Sequence, residues 1–146
     1  NFRAGQKEDM LKFSADQMAA DIRTVETAAV TGERVAGEEP SGYGLRFETN
    51  GSSYLYFIDQ GGDELPTVYN AGDTGVRTFV LPQGIQIVSL DPSGAALDLF
   101  FVQPRPTLFI NGETSDAEAR VELKHKDIAQ TKTIIINRIS GRIDVE

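Results

Sequence analysis

The sequence predicts an α+β fold in which one long N-terminal amphipathic helix packs on antiparallel β-sheet. Three observations predict it. Apolar residues in the first 31 positions recur at helical spacing, the apolar period drops to two from Tyr43 onward, and turn-forming residues punctuate every later run. The 146 residues suit one domain with a core of ordinary size. Within it, residues 1–32 form the helical part and residues 33–146 a β-rich head.

The helix rests on Leu11, Ala15, Met18, Ile22, Val25 and Ala29, which alternate at steps of four and three and so share one face, expected to be the core face. Glu8, Lys12, Asp16, Arg23 and Glu26 fall mainly on other faces. Lys12 and Asp16 stand four apart, a spacing that supports an ion pair worth ~0.3 kcal/mol. Proline is absent from this stretch. Gly32 is the natural stop, because glycine accepts the left-handed conformation just past a helix end.

A polar stretch with Pro40 follows, and then the period-two pattern begins. Tyr43, Leu45 and Phe47 alternate, Asn50-Gly51 signals a hairpin, and Tyr54, Tyr56 and Ile58 alternate with Leu55 and Phe57. Residues 60–74, with three glycines and Pro66, read as an irregular connection. Further strands are predicted at 77–81, 85–90, 96–102, 107–110, 120–125 and 132–139. Ser140-Gly141 then turns the chain into a last strand at 142–145.

Composition narrows the function classes. The formal net charge is −8, which disfavours general nucleic-acid binding. Residues 119–146 nevertheless carry a net +2 against −10 for the preceding 118, an asymmetry that can steer subunit docking. With no cysteine in the chain, structural zinc, disulfides and thiol catalysis are excluded. No apolar run approaches the roughly 20 residues needed to span a bilayer. The chain opens at Asn1-Phe2-Arg3, already close to helical sequence, as expected of a fragment whose upstream segment has been cut off.

Few residues point to chemistry. His125, the single histidine, stands between Lys124 and Lys126 with no nucleophile motif beside it, and a packing or surface role outweighs a catalytic one. Asp59, Asp63, Glu64 and Asp73 lie in and around a glycine-rich loop that could supply oxygen ligands to Ca2+, although their spacing is not that of an EF-hand. Tyr43, Tyr54 and Tyr56 could form a sugar-stacking platform, but the interleaved Leu55, Phe57 and Ile58 favour cross-strand packing. No enzymatic constellation emerges, and no small-molecule substrate or other cofactor is expected.

Two segments carry a family resemblance. Phe2-Arg3-Ala4-Gly5-Gln6-Lys7, running on to Ser14-Ala15-Asp16-Gln17-Met18-Ala19-Ala20-Asp21-Ile22-Arg23, resembles the amphipathic half of a pilin helix. Thr133-Ile134-Ile135-Ile136-Asn137-Arg138-Ile139-Ser140-Gly141-Arg142-Ile143 is similar to the closing strands of pseudopilins with a GspH-like or FimT-like head. Together they cover about a third of the chain, which thus resembles the minor pseudopilins of type II secretion and their type IV pilus relatives. The family's apolar N-terminal helix half and its early glutamate are missing from the sequence.

The resemblance implies a pilin-like fold and a structural role as a filament-assembly subunit, extracytoplasmic and anchored in the membrane through the missing helix half. Its partners would be other pilin or pseudopilin subunits. Lys12, Asp16, Arg23, Arg138 and Arg142 would be available for subunit contact, with the acidic body of one copy meeting the more basic C-terminal part of another. The alternative is a stand-alone extracellular β-sandwich module that binds carbohydrate or protein. A third reading is a DNA-binding minor pilin, supported by Arg120, Lys124, Lys126, Lys132, Arg138 and Arg142 and opposed by the overall charge.

Overall fold

The computed structural model describes residues 3–35, 37, 39–59, 69, 73–102 and 107–146. Among the described residues a single helix, α1 (Ala4–Thr31), precedes nine strands: β1 (Gly42–Glu48), β2 (Ser53–Asp59), β3 (Thr74–Val80), β4 (Ile85–Asp91), β5 (Ala96–Val102), β6 (Thr107–Ile110), β7 (Glu118–His125), β8 (Thr131–Asn137) and β9 (Ile143–Val145). The Arg3 N–H donates to Gln6 Oε1 at 3.1 Å, which occupies one of the orphan donors at the helix start. At the other end Gly32 turns left-handed (φ 65°) and the Glu33 N–H reaches back to the Ala28 carbonyl, closing the helix as a Schellman turn.

The strands form two antiparallel sheets. Five run in the order β3-β2-β1-β5-β6 and four in the order β4-β7-β8-β9. Helix α1 touches both, meeting β1 and β5 of the first sheet and β7, β8 and β9 of the second. This corrects the expected pilin-like α+β arrangement of a helix laid on one sheet face. The molecule is mainly β, and its helix lies in the angle between two sheets. Consistent with that position, the buried arc of α1 includes Ser14, Ala19, Asp21 and Ala28 as well as Leu11, Ala15, Met18, Ile22, Val25 and Ala29. A helix packed on one surface needs only a narrow stripe, whereas one wedged between two surfaces buries more of its circumference.

Period two sorts each strand into faces. Tyr43, Leu45 and Phe47 of β1 point into the main core, with Leu97, Leu99 and Phe101 of β5 alongside them. From the second sheet, Ile87, Val121, Leu123, Ile134 and Ile136 close the same core, each fully buried and each contributing ~1.5–3 kcal/mol. Part of the outer face of the five-stranded sheet is buried as well. Phe57 and Phe100 are fully covered there, and the Tyr69 ring stands edge-on to Phe57 at 4.9 Å. The Phe100 and Phe57 rings reach over β1, because Gly42 and Gly44 leave the room that side chains would fill.

The Asn50-Gly51 turn joins β1 to β2, but through a four-residue connection (residues 49–52) instead of a two-residue one. Asn50 takes the left-handed conformation (φ 66°), while a Cβ on Gly51 would stand 2.8 Å from the Glu48 carbonyl oxygen. The extra residues serve the second sheet. The Asn50 N–H donates to the Ile87 carbonyl at 2.7 Å, and the Ile87 N–H returns a bond to the Gly51 carbonyl at 2.9 Å. The hairpin tip is thereby tied to β4, close to the register shift that separates Ile87 from Ser89.

Candidate functional site

The proposed subunit-contact residues do not form one cluster. Lys12 and Asp16 are exposed on α1 and make no ion pair with each other. Arg23 lies further along the helix and is engaged within the molecule, its guanidinium donating to the Ile143 carbonyl at 2.7 Å. Arg138 donates through Nε to the Asp116 carbonyl at 2.7 Å. Arg142 is largely exposed and pairs with Asp144 of β9 at 3.1 Å. Arg23 thus reaches β9, and Arg138 and Arg142 lie in the β8–β9 connection, beside the seam between it and α1.

That seam borders a notch of about 270 Å³. Phe101 and Leu108, nearly inaccessible themselves, form its apolar floor, and Val30 and Ile139 stand at its rim, 58% and 76% exposed. Glu26 lies on one wall beside Gly141, where any Cβ would meet its carboxylate. Partial burial pushes the Glu26 carboxyl above its ordinary range, against a smaller opposing effect from Arg23. Further along α1, Phe13 projects from the exposed side and is 64% accessible. Phe13, Val30 and Ile139 are not marked out by sequence, since each sits in a run whose other apolar members are core.

A second concavity, about 570 Å³, opens on the outer face of the five-stranded sheet, lined by Arg46, Glu48, Tyr69, Thr78 and the residue 49–53 turn, among others. Arg46 is held there by Asp98, with Nη1 3.2 and 3.1 Å from the two carboxylate oxygens, and its guanidinium lies over the Tyr69 ring at 5.4 Å. The Tyr69 N–H also points at Asp98 (3.3 Å), and Asn111 Oδ1 accepts from the Asp98 backbone N–H at 2.8 Å. Burial raises the Asp98 carboxyl while Arg46 pulls it down. Sequence inspection misses this cluster because Arg46 and Asp98 are 52 positions apart, and only the β1–β5 register places them opposite each other.

The remaining candidates are dispersed. Asp59 is buried at the end of β2, where its carbonyl accepts from the Ser41 backbone and hydroxyl, and Asp73 immediately precedes β3. Asp63 and Glu64 lie outside the described residues. Among the described residues no three His, Asp or Glu side chains gather to hold a metal ion. His125 is buried, and its Nδ1 accepts the Asp127 N–H at 3.1 Å, so the ring shapes the β7–β8 turn. Tyr43 and Tyr54 are buried on the helix side of the sheet and Tyr56 is half-buried, its phenol pushed up to about 12 by that burial; they present no open platform. Among the described residues no helix is long and apolar enough to cross a membrane.

Comparison with protein-family models, with curated proteins and with solved structures finds no match to the chain.

Proposed function

We propose that the protein is the extracytoplasmic head of a minor pseudopilin-type subunit and works by assembly with neighbouring subunits, not by catalysis. The observation that carries this reading is the exposed side of α1. Two large apolar residues, Phe13 and Val30, face solvent on a helix whose buried side is already fully packed. The first two turns add to it: from Arg3 to Asp9 no residue is buried, and sheet contact begins in earnest at Leu11. A helix exposed in this way gains apolar burial only from another molecule. The resemblance of residues 2–23 and 133–143 to pseudopilin segments points the same way, and a membrane anchor upstream of the head belongs to the same proposal.

The DNA-binding reading is opposed by the net charge of −8. A binding-module reading retains one observation, the polar concavity beside Arg46 and Tyr69.

The natural absence of cysteine makes the assembly reading directly testable. Single cysteines at Phe13, Ala20 and Val30, introduced into the protein in its native membrane, are expected to cross-link to other subunits. If none of these positions gives an adduct, and Phe13→Glu leaves filament assembly intact, the assembly reading is wrong.

A further inference from the structure

The exposed Phe13 and the notch between α1 and the β8–β9 turn have complementary chemistry. Phe13 is flanked on the same helix face by Asp9, four residues before it, and Asp16, three residues after it. Both carboxylates are exposed, and neither takes part in an ion pair among the described residues. Phe13 is thus an apolar knob between two negative charges. The notch is concave, with an apolar floor of Phe101 and Leu108, the Glu26 carboxylate on one wall, and room for one large side chain. Arg138 lines it, and Arg142 follows Gly141 at its edge with a side chain 75% exposed.

Knob and notch cannot meet within one molecule. Thirteen residues separate Phe13 from Glu26 at the notch wall, which is about 20 Å along a helix and about 140° around it. They therefore lie on different flanks of α1 and are staggered along its axis. A contact between two unlike patches so arranged is heterologous, and its repetition builds a ring or an open filament of copies.

We propose that Phe13 of one copy inserts into the notch of a second copy of this chain, with Asp9 and Asp16 set against Arg138 and Arg142. This inference rests on the assembly reading and names the partner, the contact and its polarity. The aromatic ring covers Phe101, Leu108, Val30 and Ile139, supplying the apolar core of the contact, and the charges at its margin set direction and register. The contact also gives a local cause for the uneven charge of the chain, whose net positive part is the last 28 residues.

The test uses the purified chain at high concentration and low salt. Oxidation of the double variant Gln17→Cys/Ser140→Cys, which keeps Phe13 and Ile139 in place, is expected to give a ladder of covalent dimers, trimers and longer species. Both positions are exposed, and they are too far apart in one molecule to be bridged internally. Neither single variant should form the ladder. Phe13→Ala in the double-cysteine background is expected to cut ladder formation about fivefold, and Asp9→Lys/Asp16→Lys to do so at low salt and much less at high salt. Phe13 is exposed, so its replacement leaves the fold intact, which circular dichroism verifies. Absence of the ladder, a ladder undiminished by Phe13→Ala, or dimers from Gln17→Cys alone, overturns the proposal. If the ladder is absent while Phe13→Cys still cross-links to a different protein in the native membrane, the notch contact is wrong and the assembly reading stands. If Phe13→Cys, Ala20→Cys and Val30→Cys all give no adduct there and filament assembly is indifferent to Phe13→Glu, both fall.

Discussion

The Tyr54 hydroxyl donates a 2.5 Å hydrogen bond to Asp21 Oδ2 in the interior, joining β2 to the middle of α1. Gln17 Nε2 donates to the other carboxylate oxygen at 3.1 Å, so the buried acid is held on both sides. Tyr54 itself is stacked between Phe47 and Phe79, at 5.4 and 5.0 Å. Burial, followed by the bond to Asp21, raises the phenol far above its ordinary range, and it acts as a neutral donor throughout the working pH range. Tyr54→Phe keeps the stacking and removes only the donor to a charged acceptor. It is expected to cost about 2 kcal/mol, read as a lower urea midpoint with an unchanged slope. A loss below measurement error would show that the bond does not anchor the helix to the sheet.

Gly44 is a packing requirement. Its φ is ordinary for a strand, but a side chain would run into the Phe57 ring, which lies over β1. Gly44→Ala is expected to destabilise the fold by about 1–3 kcal/mol, visible as a drop in Tm. Combining it with Phe57→Leu should recover part of that loss, since the smaller side chain vacates the space. Additive losses in the double variant would mean that the two residues do not compete for the same volume.

Arg46→Ala leaves the Asp98 carboxylate, 5% exposed, without its counter-charge. Breaking a buried pair from one side costs about 3–5 kcal/mol, and because Arg46 is partly exposed the expected loss at neutral pH is smaller, about 2 kcal/mol. The pH dependence follows from the sign. Burial already raises the folded-state Asp98 above its unfolded value, so the folded protein holds this proton more tightly, and ionisation of Asp98 works against folding as pH rises. Removing Arg46 takes away the largest opposing influence and raises it further. The variant should therefore recover stability relative to wild type as pH falls from 7 toward 4, in denaturant titrations at each pH. A deficit independent of pH would assign the loss to packing against Tyr69 instead.

Much of the fold is legible in the residues. The spacing of Leu11 to Ala29 and the stop at Gly32 mark α1 closely, because helix formation depends on residues three and four apart. Alternation and turn residues likewise locate the nine strands of the described residues to within a few positions. The sites are less legible. Lys12 and Asp16 are as exposed as their spacing implies, but Arg23 and Arg138 spend their donors on carbonyls of Ile143 and Asp116. No local pattern shows that commitment. Phe13 looks like one more apolar helix residue until the core face is located without it.

By itself, then, the sequence determined the elements, their faces and the charge asymmetry, since all three are local properties of neighbouring residues. Tertiary structure decided that β4 pairs with β7 and not with β3 or β5, and that the strands divide into two sheets. It decided as well that α1 lies between those sheets, and that Arg46 meets Asp98 and Tyr54 meets Asp21. Alternation says which side of a strand is apolar but carries no address for the partner strand. That address comes from the joint packing of all the faces, which can be satisfied only once the whole core closes.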